Sequence, residues 1–250
     1  MMLKNKVAIV TGGARDIGKC VSKKLAAEGA KVVINYYDNP EQAQETLQEI
    51  KDQGGQATVV QGDMTKNADV ERVVEHATKT FGNDVHVLVN VAGGLVARKT
   101  IEEMDEDFFS FVMNLNMTST FLMTKAVVPH MPEGSSIVNF ASQAGRDGGG
   151  PGATAYATAK GAVMTFTRSM AKELGPKNIR VNALCPGMIA TTFHDTFTKD
   201  AVREKVAGGT PLRREGRASE VADVVALLAS GHTSFVTGNN IDINGGLAFS

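Results

Sequence analysis

Short runs of consecutive apolar, often β-branched residues alternate along this chain with longer stretches in which apolar positions recur every three or four residues. The first kind, at 6–10, 31–35, 56–61, 85–90, 136–141, 180–185 and 240–243, reads as strands buried on both faces. The second kind, at 19–28, 41–53, 68–81, 105–128, 154–174 and 219–229, reads as helices with one apolar stripe. Strands separated by helices need right-handed crossovers, which predicts an α/β fold: one doubly wound parallel sheet of about seven strands with helices on both faces. No repeat, linker or low-complexity segment interrupts the series, so residues 1–250 read as a single domain.

In such a sheet a ligand binds outside the carboxyl ends of the strands, and the polar and glycine-bearing segments fall there. Thr11-Gly12-Gly13-Ala14-Arg15-Asp16-Ile17-Gly18 follows the first strand and leads into a helix. A strand, a glycine turn and a helix in that order leave free backbone N–H groups at a helix N-terminus, where a phosphate can sit. Asp63 follows the third strand, Asn90-Val91-Ala92-Gly93 ends and follows the fourth, Ser142 follows the fifth and Pro186-Gly187 the sixth.

Tyr156 and Lys160 stand four apart in the 154–174 helix and share a face. A free phenol has a pKa of about 10, and bringing it near 7 takes ~4 kcal/mol of preference for the charged form. A lysine cation within a few ångströms in a partly dry cleft is the expected source. Such a tyrosine is a proton donor or acceptor matched to carbonyl and alcohol chemistry at neutral pH.

Composition adds exclusions. The chain is 42% hydrophobic and 21% charged, with a formal net charge of −1, which gives no general attraction to nucleic acid or to an anionic membrane. No long apolar run and no basic-then-apolar leader is present, so neither a membrane span nor a secretory signal is expected, and the chain reads as cytoplasmic. Cys20 and Cys185 are the two cysteines; they read as reduced thiols, and no metal-binding spacing occurs.

With these segments in place the chain resembles the short-chain dehydrogenase/reductase family over essentially its whole length. The matching residues are 11–18, against the family pattern Thr-Gly-x-x-x-Gly-x-Gly, Asn90 to Gly93, Asn116, Ser142, Tyr156 with Lys160, and Pro186-Gly187 with Thr191. The resemblance implies a Rossmann-like fold and NAD(P)H-dependent hydride transfer to a small-molecule carbonyl. It implies that Tyr156 is the general acid, that Ser142 fixes the carbonyl oxygen, and that Lys160 holds the nicotinamide ribose and lowers the Tyr156 pKa. Asn116 would hold a water in a proton relay. Asn114 competes for that role within Met113-Asn114-Leu115-Asn116, and the downstream Thr118-Ser119-Thr120-Phe121 favours Asn116. Cofactor contacts are expected from Gly12, Arg15, Asp16, Ile17, Gly18, Tyr36, Asp63, Met64, Asn90, Ala92, Gly93, Tyr156, Lys160, Pro186, Gly187, Ile189 and Thr191. The resemblance also implies a homotetramer built on the 105–128 and 154–174 helices.

One departure is Asp16, which replaces the family's middle glycine. A carboxylate beside an anionic cofactor at a helix N-terminus costs energy unless it turns away. It reads either as an N-cap for the helix starting near Ile17, a role that suits Asp, or as a ribose ligand that disfavours a 2′-phosphate. Arg15 occupies the position where NADP-using relatives carry a basic residue, and Tyr36 replaces the aspartate typical of NAD users. Asp16 and Asp38 act against both, and the balance favours NADP(H) over NAD(H).

The segment 190–214 corresponds to the family's substrate lid and holds Phe193, His194, Phe197, Arg213 and Arg214. A second loop, 143–153, holds Arg146 and the run Gly148-Gly149-Gly150. Arg146 and His194 are the candidate substrate residues, an arginine suiting a carboxylate. The pattern is similar to bacterial keto-sugar and uronate reductases, which suggests a keto-uronate such as 4-deoxy-L-erythro-5-hexoseulose uronate. It is also similar to 3-oxoacyl-carrier-protein reductases, for which Arg98, Lys99 and Lys125 are the candidate docking cations. A nucleotide-binding regulator without turnover is the non-enzymatic alternative.

Overall fold

A computed structural model describes residues 1–249. Among the described residues nine strands are present: β1 (Val7–Thr11), β2 (Lys31–Tyr36), β3 (Gln56–Gln61), β4 (Val87–Asn90), β5 (Ser136–Phe140), β6 (Arg180–Pro186), β7 (Ile189–Ala190), β8 (Gly216–Arg217) and β9 (Asn240–Ile243). Seven of them form one parallel sheet in the order β3-β2-β1-β4-β5-β6-β9, and β7 pairs with β8 in a small parallel ribbon. The order reverses between β1 and β4, and this switch point opens the binding crevice.

The helices are α1 (Asp16–Ala27), α2 (Pro40–Asp52), α3 (Asn67–Phe81), α4 (Glu106–Met113), α5 (Ser119–Val127), α6 (Ala144–Asp147), α7 (Thr154–Leu174), α8 (Thr192–Phe197), α9 (Asp200–Gly209) and α10 (Ala218–Ala229). Alternate residues of each strand point to opposite faces, and this sorts the apolar side chains into two layers. Ala8, Val10, Val32, Ile34, Val87 and Val89 pack with α1, α2 and α10. Ile9, Val33, Leu88, Ile137 and Val181 pack with α3, α5 and the end of α7. Full burial of each such valine, leucine or isoleucine contributes about 1.5–3 kcal/mol, so both faces must be covered for the sheet to be stable. Asn39 caps α2 by accepting from Gln42 N at 2.9 Å, with Pro40 at the first helical position.

The structure departs from the sequence reading in three places. The expected helix over 105–128 is interrupted by a π turn at Asn114–Thr118, between α4 and α5. The segment 190–214, expected to be a substrate lid, holds two helices, α8 and α9, neither of which carries a fully buried residue. Asp16 is not an N-cap: Arg15 holds that position and Asp16 is the first helical residue. Among the described residues no helix is long and apolar enough to cross a membrane, and no group of three or more His, Cys, Asp or Glu could hold a metal ion.

Candidate active site

A cleft of about 870 Å³ runs along the carboxyl ends of β1, β2, β4, β5 and β6 and is lined on one side by α8. At one end the β1–α1 turn is pinned to the strands beside it. Asn35 Oδ1 accepts from Gly12 N (3.2 Å), Asn35 O accepts from Gly13 N (2.9 Å), and Thr11 Oγ1 accepts from the N–H groups of Val91 and Ala92 (both 3.1 Å). Among the described residues no side chain caps α1, so its first-turn N–H groups are left for an external acceptor. The turn has no room for a side chain at Gly18, whose Cβ would lie 2.0 Å from Gly12 O. A bare backbone cradle, uncapped N–H groups and a cleft of about 870 Å³ reaching from Tyr36 to Tyr156 together fit a nicotinamide dinucleotide.

Most residues expected at the cofactor line this cleft: Gly12, Arg15 to Gly18, Tyr36, Asp63, Met64, Ala92, Gly93, Tyr156, Lys160, Pro186, Gly187, Ile189 and Thr191. Asn90 is not among them. Its Nδ2 donates to Asn139 Oδ1 at 2.9 Å inside the sheet, and its Oδ1 is buried without a partner among the described residues. The Asp63 carboxylate is engaged by its own turn, accepting from Thr65 N (2.9 Å) and Oγ1 (2.7 Å). Sequence reasoning missed Asn39 and Gln42, which reach the cleft from the start of α2.

At the other end Ser142, Tyr156 and Lys160 converge. Ser142 follows β5, while Tyr156 and Lys160 are one turn apart on α7. Lys160 is buried, and its Nζ donates to Phe140 O at 2.6 Å and lies 5.7 Å from the centre of the Tyr156 ring. The expected lowering of the Tyr156 pKa by Lys160 is not what this geometry produces. Burial raises the phenol above its ordinary value, with the neighbouring Ser142 hydroxyl pulling the other way. Burial also pushes the Lys160 ammonium down to about 8. The low-polarity surroundings outweigh the pairing because the ammonium faces a backbone carbonyl.

The π turn places Asn116 and separates it from Asn114. Asn116 is fully buried, donates through Nδ2 to Gly94 O and Val112 O (both 2.9 Å), and accepts from Gly94 N at 3.0 Å. Asn114 is exposed, and its side-chain Oδ1 accepts from Thr118 Oγ1 at 2.9 Å. Asn116 does not line the cleft itself. It sits behind Gly93, where an added Cβ would lie 2.6 Å from Asn116 Oδ1 and 3.2 Å from Lys160 Nζ. Gly93 has a φ of +156° and its missing side chain is what lets the three groups approach.

The cleft wall beside Tyr156 is aromatic. Phe193 lies 6.0 Å from the Tyr156 ring and 5.2 Å from Phe197, and Leu95, Val96 and Phe111 complete the wall. His194 lines the cleft; its Nδ1 meets Thr198 Oγ1 at 2.9 Å, and burial lowers its pKa, so it is neutral at pH 7. Arg146 does not reach the cleft. It is tied to Asp242 Oδ1 (2.6 Å) and Asn240 O (2.5 Å) at the β9 edge. Arg213 and Arg214 are exposed and also absent from the lining. The cation that does line the cleft there is Arg98, whose Nη1 donates to Pro151 O at 3.0 Å and Nε to Phe197 O at 3.3 Å.

Comparison with known proteins agrees with this geometry. The family described as enoyl-(acyl carrier protein) reductase matches residues 12–248. Glucose 1-dehydrogenase 2 of Bacillus subtilis is 34% identical over 251 residues, covering 98% of this chain and 95% of that protein. A short-chain dehydrogenase/reductase from Serratia marcescens superposes with a TM-score of 0.94 at 30% identity, covering 100% of both chains. A short-chain dehydrogenase from Burkholderia cenocepacia, solved in complex with NADP, superposes with a TM-score of 0.93 at 29% identity over 99% of each chain. Sheet order, cleft and relatives converge on one conclusion: this chain belongs to the short-chain dehydrogenase/reductase family and is an NAD(P)-dependent oxidoreductase.

Proposed function

We propose that the chain reduces a compact ketone with an apolar flank, taking the hydride from NADPH. The observation that carries this reading is the Phe193 ring over Tyr156, which puts an aromatic wall beside the group that meets the carbonyl oxygen. A bound nicotinamide supplies the hydride. Tyr156 delivers its proton to the carbonyl oxygen as that oxygen becomes an alcohol. The raised pKa of the phenol keeps it protonated at neutral pH, the form that reduction needs. Ser142 donates a hydrogen bond to the same oxygen and orients it. Lys160 holds the ribose side of the nicotinamide site, and Asn116 stands behind Gly93 to carry the proton supply toward Lys160.

NADP(H) is favoured over NAD(H) because Arg15 lines the adenosine end, is exposed, and has no ion-pair partner among the described residues. Of the two acids weighed against a 2′-phosphate, Asp16 is engaged by Thr192 and only Asp38 remains. The solved relative holding NADP supports the same choice. A charge-assisted contact to phosphate is worth about 1.5–3 kcal/mol, so Arg15→Ala is expected to lower kcat/KM for NADPH by about 10- to 100-fold. With NADH the same variant stays within about threefold. Initial rates at 340 nm with both cofactors check this, and an equal loss for the two would reject the role of Arg15.

A keto-uronate is the second reading, and Arg98 in the cleft favours it as a partner for a carboxylate. With Arg146 withdrawn, the wall around Arg98 is aromatic and aliphatic, which suits an apolar substituent better than a row of hydroxyls. A panel of short ketones and diketones, acetoacetyl thioesters and keto-uronates, followed by NADPH oxidation, decides. Tenfold or greater preference for a keto-uronate would overturn the apolar reading. The carrier-protein alternative is weaker: Arg98 donates to Phe197 O and Lys99 pairs with Asp105 and packs over Phe108 at 4.6 Å, which leaves the exposed Lys125 to meet an acidic carrier. The exposed Phe109 and Phe121 on α4 and α5 support a homotetramer, which light scattering of the purified chain tests. A cytoplasmic location completes this reading, resting on the two free cysteines and tested by fractionation.

A further inference from the structure

The lid helix α8 is fastened at both ends by charged side chains from outside the lid. At its first residue, Thr192 donates through N to Asp16 Oδ1 (3.0 Å) and through Oγ1 to Asp16 Oδ2 (2.5 Å), across 176 positions of sequence. At its last residue, Phe197 O accepts from Arg98 Nε at 3.3 Å. Between these fastenings Phe193 lies against Tyr156. Asp16 has a φ of +48°, a left-handed conformation in which a residue other than glycine is strained unless its surroundings hold it. What holds it is the lid: both carboxylate oxygens are taken by Thr192, and Asp16 and Thr192 line the same cleft.

We propose that Asp16 is a positioning residue that clamps the substrate lid across the dinucleotide cleft through Thr192. The clamp rests on the cofactor reading given above. It accounts for a carboxylate at a phosphate-binding turn. Thr192 turns the charge toward the lid, and the gain is a closed cleft in which Phe193 is held on Tyr156. The carboxylate acts on catalysis only through Thr192 and the lid.

Three variants test it: Asp16→Gly, Asp16→Asn and Thr192→Val, with the Asp16→Gly/Thr192→Val double variant. Glycine suits the backbone at φ +48°, so D16G is expected to fold with unchanged or higher Tm, and its effects are not those of misfolding. The readouts are tryptic cleavage at the exposed Lys199 in the lid, NADPH affinity by fluorescence titration, and KM against kcat on an accepted ketone. D16G is expected to speed lid cleavage about tenfold and to weaken NADPH binding and raise the ketone KM by about tenfold, with kcat changed less. D16N keeps an acceptor oxygen and stays within about threefold of the wild type. The double variant is no worse than D16G, because the two residues share one interaction. Unchanged lid cleavage in D16G, or tighter NADPH binding by both D16G and D16N, would overturn the clamp and leave Asp16 as a repulsive charge beside phosphate. If the wild type binds neither NADPH nor NADH, the cofactor reading falls, while the cleavage comparison still judges the clamp.

Discussion

Replacing Tyr156 by Phe lowers turnover by about 10³-fold while leaving NADPH affinity and Tm nearly unchanged. The phenol is the group at the substrate end of the cleft that can deliver a proton to a carbonyl oxygen at pH 7. His194 is held by Thr198 with its pKa lowered, and the Lys160 ammonium is turned to Phe140 O. Loss of a general acid costs about 10²–10⁴-fold, and here no neighbour replaces it. The ring stays, so the packing against Phe193 stays, and removing a hydroxyl from a half-buried apolar wall does not weaken the fold. NADPH oxidation on an accepted ketone, paired with a fluorescence titration of the cofactor, reads the two properties separately. A nucleotide-binding regulator would have no turnover to lose, and a Y156F protein as active as the wild type would remove Tyr156 from the chemistry. Because burial raises the phenol pKa, reduction is expected to hold its rate through neutral pH, whereas alcohol oxidation, which needs the phenolate, should climb as pH rises.

How much of this site could be read beforehand depended on whether its geometry is local. The sheet was legible because β1, β4 and β5 consist of residues buried on both faces and have no polar alternation to confuse with helix. Tyr156 and Lys160 were legible because one turn of helix fixes their relation whatever surrounds it. Their electrostatics were not, since the raised phenol and lowered ammonium follow from burial that a spacing does not reveal. The choice of Asn116 over Asn114 came from family context. Hydrophobic periodicity alone drew a single helix through 105–128 and could not register a π turn, a change of one residue in the hydrogen-bond pattern. The charge of Arg146 and its loop make it a substrate candidate in the sequence. Asp242 and Asn240, nearly a hundred residues on, claim its guanidinium. The lid helices escaped notice because α8 has six residues and α9 buries none of its side chains, so neither has an apolar stripe to detect.

Lys160→Met gives the second large effect, and it separates catalysis from stability. Methionine approximates the aliphatic length of the lysine but can neither hydrogen-bond a ribose nor carry a proton, so turnover falls by at least about 10²-fold. Stability moves with pH in a direction fixed by linkage. In the folded chain Lys160 releases its proton near 8, whereas an ordinary lysine keeps it to 10.5, so between these values the unfolded chain binds more protons than the native one. Native stability of the wild type therefore rises with pH across this window, and below it the buried ammonium is a burden of about 3 kcal/mol. K160M has no such group and loses this dependence, although it leaves Phe140 O without its donor, at a cost of about 1–3 kcal/mol. Near pH 7 the two terms oppose and the variants should lie within about 2 kcal/mol of each other. Between pH 8 and pH 10 the wild type should gain about 2 kcal/mol on K160M. Urea unfolding of both proteins at several pH values measures the difference directly, cancelling the groups they share. A gap that stays flat from pH 7 to 10 would mean that Lys160 titrates in the native state as it does in water, and that the dry pocket ascribed to this end of the cleft is open to solvent.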